Sequence, residues 1–157
     1  INMNQKEKEI IAFKTFFSLI SRDKFSNDLI NINCQEPADI VYNQQGYQIT
    51  TGDGQHFGKI LATTKKFNIN DIENRIVDRA SNINEIINIV LLPILRHKKL
   101  SADKTIILLI FIYNPIPFTD DQLKKRLKDF SNLNQNLLNI WKEVWCIFPD
   151  KALIIFP

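Results

Sequence analysis

The chain has 157 residues, with 20 Lys+Arg against 17 Asp+Glu and a net charge of +3. That length builds one hydrophobic core without staples, and 45% hydrophobic with 24% charged residues argues against disorder and against a disulfide scaffold. Four Gly leave no glycine-rich phosphate loop, and two Cys with two His fall short of the roughly four ligands of a structural zinc site.

Residues 5–21 have helical spacing, with Ile10, Phe13, Phe17 and Ile20 as the apolar stripe and Phe16 and Leu19 widening it. Glu7 and Glu9 sit in the first turns, where the helix dipole favours acid. Residues 29–33 alternate as a strand does. Glu36–Tyr42 and Tyr47–Thr51 flank a polar, Gly-containing break at Asn43–Gly46, the pattern of an antiparallel hairpin. Residues 52–58 hold three of the four Gly and read as a loop, and Lys59–Thr64 is ambiguous. A long helix is expected over residues 70–97, with Pro93 kinking or breaking it. Lys104–Tyr113 is a strand so apolar that both its faces need cover. Thr119-Asp120-Asp121-Gln122 is a capping box that opens a helix, which restarts near Asn132 and ends near Trp141. Val144–Phe148 and Ala152–Phe156 are two short strands joined by a Pro149-Asp150 turn. Trp141 and Trp145 read as core. The order is α-β-β-α-β-α-β-β, and residues 1–157 read as a single domain.

Cys34 and Cys146 form no C-x-x-C motif and suit a reducing, cytoplasmic setting. The start, Ile1–Glu9, is polar and charged and carries no apolar signal core; the absence of Met at position 1 suggests a trimmed terminus. The longest apolar run, Ile106–Ile112, is far short of the ~20 residues that cross a bilayer, so no membrane is expected as a partner.

Residues i and i+2 of a strand share a face, so Gln48 and Thr50 point together, with Tyr47 and Ile49 opposite. If the two hairpin strands pair, Asp39 approaches that face. A hard divalent cation takes oxygen ligands. Asp39, the Gln48 side-chain carbonyl, a backbone carbonyl near Ile49 and a helix glutamate offer such a set.

This arrangement resembles the PD-(D/E)xK nuclease superfamily. The resemblance implies an α/β, restriction-endonuclease-like three-layer core, with a central mixed sheet flanked by helices. It covers most of the chain in element order, but the motif spans only Pro37 to Thr50. In that family a first helix carries a glutamate, an aspartate lies on the hairpin's first strand, and an acid-x-lysine follows on the second. Asp39 matches the aspartate, preceded by Pro37-Ala38 rather than directly by proline. Gln48 falls where the second acid belongs and Thr50 where the lysine belongs. Glu7 and Glu9 are both candidates for the helix glutamate.

The implied activity is Mg2+- or Mn2+-assisted attack of water on a DNA phosphodiester, with Asp39 and Gln48 as metal ligands. A neutral Gln48 weakens the metal site, and Thr50 cannot do the work of a lysine. Arg79 and Lys59 are the candidates for a displaced basic group. Lys65, Lys66, Lys124 and Lys128 are candidates for following a phosphate backbone.

Plainer readings stand beside these. Asp39 fits a turn acid that accepts backbone N–H bonds. Gln48 and Thr50 fit the solvent face of a half-buried strand, and the Lys124–Lys128 run fits a solvated helix face. The same fold also serves a non-catalytic DNA-binding or protein-interaction module, and an unrelated α/β interaction protein is a third possibility. The apolar last strand, if left as an edge, favours a homo-oligomer.

Overall fold

The computed structural model describes residues 4–51, 83–112 and 119–157. Helix α1 spans Gln5–Ile20 and opens on a capping box. The Asn4 side chain accepts the Glu7 N–H at 2.8 Å, and Glu7 Oε2 accepts the Asn4 N–H at 3.3 Å. Its buried residues are Glu9, Ala12, Phe13 and Phe16. The stripe is therefore rotated from the expected one, and Ile20 is 46% exposed. Aromatic contacts set the rotation: the Phe13 ring lies 4.9 Å from that of Tyr47, and Phe16 lies 5.4 Å from Trp145. That rotation carries an acid, Glu9, into the buried face.

After a short 3-10 turn at Asn27–Leu29 come β1 (Ile30–Asn31), β2 (Ile40–Tyr42) and β3 (Gln45–Thr51). Strands β2 and β3 form the expected hairpin, but its turn is only Asn43-Gln44, with φ of 47° and 70°. Positive φ at both central residues is the twist-matched turn of a two-residue hairpin. Gly46 is thus a strand residue rather than part of the break. A Cβ there would meet Ile106 Cδ1 at 2.6 Å and Ala38 Cβ at 3.3 Å, so close packing explains the glycine.

Helix α2 (Ile83–Lys98) runs through Pro93 without ending. Pro93 is exposed, whereas Leu91 and Leu95 on the other side are buried. A proline costs a helix interior about 3 kcal/mol, and the packing of those leucines holds the segment helical. The readings for residues 52–82, including the front of this helix, lie outside the described residues.

Strand β4 (Ile106–Phe111) is buried along its whole length. It is followed by α3 (Asp120–Leu133) with the predicted Thr119 capping box. Next come a single-turn α4 (Gln135–Leu138), β5 (Glu143–Ile147) and β6 (Ala152–Phe156). The helix restart is shorter than expected, and Trp141 follows it as a buried anchor.

The described strands make one six-stranded mixed sheet in the order β1-β2-β3-β4-β5-β6. The β3–β4 and β4–β5 pairs are parallel and the rest antiparallel. Along β4, Ile107, Leu109 and Phe111 join the α1 core, while Ile106, Leu108 and Ile110 join the core under α2, α3 and α4. Helices therefore cover both faces, as an all-apolar central strand requires. Trp145 is half-buried and packs on the α1 side. Cys34 and Cys146 are free, and burial pushes the Cys146 thiol up to about 12, which makes it inert. Among the described residues no helix is long and apolar enough to cross a membrane.

Candidate functional site

Strands β2 and β3 pair from Tyr42↔Gln45 to Ile40↔Tyr47 and then part. The next residues on the two strands are Asp39 and Gln48. The Asp39 N–H donates to the Tyr47 carbonyl at 2.8 Å, and Asp39 Oδ2 accepts the Ile49 N–H at 2.8 Å. A side-chain carboxylate therefore does the accepting that a strand carbonyl would do. Beyond this point β3 continues alongside β4 up to Thr51.

The N-terminal turn of α1 lies against the same place. Lys6 Nζ donates to the Asp39 carbonyl at 3.1 Å and stands 3.5 Å from Glu9 Oε2. Gln5 Nε2 donates to Glu9 Oε1 at 3.3 Å. Glu9 is only 7% exposed, and its Oε2 has no hydrogen bond among the described residues. Gln48 is 3% exposed, and its Oε1 is in the same condition. Gln48 and Thr50 are therefore not a solvent face: Gln48 is buried and Thr50 half-buried.

The electrostatics agree with this proximity. Burial pushes the Asp39 carboxyl above its ordinary value, and the Glu9 charge pushes it further. The Ile49 N–H, Lys98 at the end of α2, and Lys6 pull the other way. Burial outweighs the pull of the two lysines.

Of the residues singled out from the sequence, Asp39 and Glu9 are brought together. Glu7 is exposed and occupied with the helix cap. Gln48 is next to Asp39 in register, but it shares the face of Leu108, under α2, whereas Glu9 belongs to the stripe facing Tyr47. Lys124 and Lys128 are exposed on α3, and the charge of Lys124 bears on Asp120 rather than on Asp39. Arg79, Lys59, Lys65 and Lys66 lie outside the described residues.

Sequence reasoning did not connect Lys6 or Lys98 with Asp39. The i, i+3 spacing of Lys6 and Glu9 was a legible signal for their pairing. Nothing local connects either lysine with Asp39, which is 33 residues from Lys6.

Comparison with family models, curated proteins and solved structures returned no match.

A divalent cation would meet the Glu9 and Asp39 carboxylates and, from the other face of β3, the Gln48 amide carbonyl; all are oxygen, which suits a hard ion rather than zinc. Two of those oxygens are buried without a hydrogen bond, a condition that ordinarily costs about 1–3 kcal/mol for each such group. No three His, Cys, Asp or Glu side chains gather among the described residues, and the Gln48 amide lies on the opposite face of β3 from Glu9, so Asp39 and Glu9 are the donors that approach one place.

Proposed function

We propose that this chain is a restriction-endonuclease-like domain that hydrolyses phosphodiester bonds in DNA with Mg2+ or Mn2+. Asp39 and Glu9 would hold the ion, with water completing its oxygen set. The observation that carries the reading is the approach of buried Glu9 to Asp39, bridged by Lys6, at the parting of the hairpin strands. The mixed sheet between helices, and the i, i+2 pair Gln48 and Thr50 on the second hairpin strand, support the same reading.

The ion would polarise a phosphoryl oxygen and lower the pKa of water. The chain's own residues do the rest. Asp39 is fixed by the Ile49 N–H, which leaves its carboxylate oriented before any ligand arrives. Glu9 adds the second negative charge from α1. Gln48 stands on the other face of β3, so two carboxylates would bind the ion more weakly than a full set of acids. Thr50 cannot offset phosphorane charge, and Lys6 and Lys98 are the described cations near enough to Asp39 to act on its charge. The exposed Lys124 and Lys128, with Lys65 and Lys66, would follow the phosphate backbone. Strand β6, at the sheet edge with Ile154 42% exposed, would serve a second copy in a cytoplasmic homo-oligomer.

The neutral Gln48 and the lysine-free position at Thr50 favour a second reading: the same fold acting as a non-catalytic DNA-binding or protein-interaction module.

Incubation with supercoiled plasmid in Mg2+ or Mn2+, beside an Asp39→Ala control, tests the proposal. Nicking that disappears in the control supports hydrolysis. Salt-dependent binding without nicking supports the second reading, and nicking that persists in the control overturns the site assignment.

A further inference from the structure

Lys6 Nζ links the first turns of α1 to the start of β2. It stands 3.5 Å from Glu9 Oε2 and 3.1 Å from the carbonyl of Asp39. A desolvated carboxylate such as Glu9 needs a counter-charge nearby. Lys6 supplies it incompletely: the pair is longer than a hydrogen bond, and Glu9 Oε2 keeps no hydrogen bond among the described residues. The lysine side chain is 46% exposed, whereas that of Glu9 is 8% exposed. A long, half-solvated stem can swing outward at little cost, but the glutamate cannot follow it.

We propose that Lys6 is the resident counter-ion of the Glu9–Asp39 pocket, and that a divalent cation binds by displacing its ammonium. The inference rests on the metal-dependent reading above and adds a control to that site. Two positive charges with direct oxygen contacts satisfy the Glu9 and Asp39 oxygens better than one ammonium at ion-pair distance. The competition lowers the apparent affinity of the ion by the fraction of molecules in which Lys6 has moved out. The charge of Lys98 also favours the Asp39 carboxylate, but Lys98 makes no ion pair to Glu9. Its removal therefore changes the local charge alone, and Lys6 differs from it by occupying the position.

Titration calorimetry with Mn2+ on the full chain tests this without reference to cleavage. Wild type is compared with Lys6→Met, Lys6→Gln and Lys98→Met, each checked for an intact thermal transition. The two Lys6 variants should bind Mn2+ about 3- to 10-fold more tightly than wild type, and Lys98→Met should gain clearly less. Equal gains in all three variants, or unchanged or weaker binding in the Lys6 variants, would overturn the displacement. Absence of Mn2+ binding in wild type and in both Lys6 variants would overturn the metal-dependent reading together with it.

Discussion

Asp39 Oδ2 accepts the backbone N–H of Ile49 at 2.8 Å across the end of the β2–β3 hairpin. One carboxylate thus ends the strand pairing and stands at the candidate centre, a structural role and a chemical one held by the same group. Replacing it with alanine leaves the Ile49 N–H without its acceptor, so Asp39→Ala should lose about 1–3 kcal/mol of stability. Asp39→Asn keeps an acceptor oxygen and should lose less. Urea unfolding of the three proteins checks this, and equal stability of all three would deny the structural role.

The raised pKa of Asp39 has a direction in pH. The folded state holds the proton more tightly than the unfolded chain, whose value is near 3.8. As pH rises from that value through the folded one, the folded state gives up relative stability. Above the folded value the cost is constant. Asp39→Asn has no such loss, so the stability of the variant relative to wild type should improve as pH rises from 3.8 through the folded pKa. Melting curves across that interval read it directly. A relative stability that falls as pH rises would mean the carboxyl is depressed instead.

Gly46 is held to its size by Ile106 Cδ1, 2.6 Å from where a Cβ would stand. Gly46→Ala should cost about 1 kcal/mol or somewhat more, because the close atom is the end of an isoleucine that can partly yield. Ile106→Val removes that atom. The double variant should therefore be more stable than the sum of the single losses predicts. Strict additivity would show that the crowding lies elsewhere.

These positions also show what the amino-acid order made legible. The hairpin, the Thr119 cap, the apolar β4 and the last two strands follow from local pattern, and each was readable. Gly46 was misread as turn chemistry because the actual turn, Asn43-Gln44, lacks the glycine that usually marks one. The α1 stripe was rotated because helical periodicity fits more than one face. The rings of Tyr47 and Trp145, distant in sequence, chose between them. Alternation made Gln48 and Thr50 legible as a pair, and hairpin pairing made the approach of Asp39 to the second strand legible. Glu9 over Glu7, and both lysines, were not, since only the docking of α1 and α2 against the hairpin brings them to Asp39.

The turn offers a stabilising change. Gln44 has φ of 70°, a region where a side chain is strained and glycine is not. Gln44→Gly should raise stability by about 0.5–1 kcal/mol. The expected readout is a higher melting temperature with an unchanged circular-dichroism spectrum. A lower melting temperature would mean that the Gln44 side chain makes a contact worth more than the strain.

The metal-dependent reading places a divalent ion on Glu9 and Asp39. The most direct measurement is the shift in melting temperature produced by Mn2+ in wild type and in Glu9→Gln. An ion bound only by the folded state stabilises it, so Mn2+ should raise the wild-type melting temperature and raise that of Glu9→Gln clearly less. A wild-type melting temperature that Mn2+ leaves unchanged, or a rise of equal size in the variant, would contradict the reading.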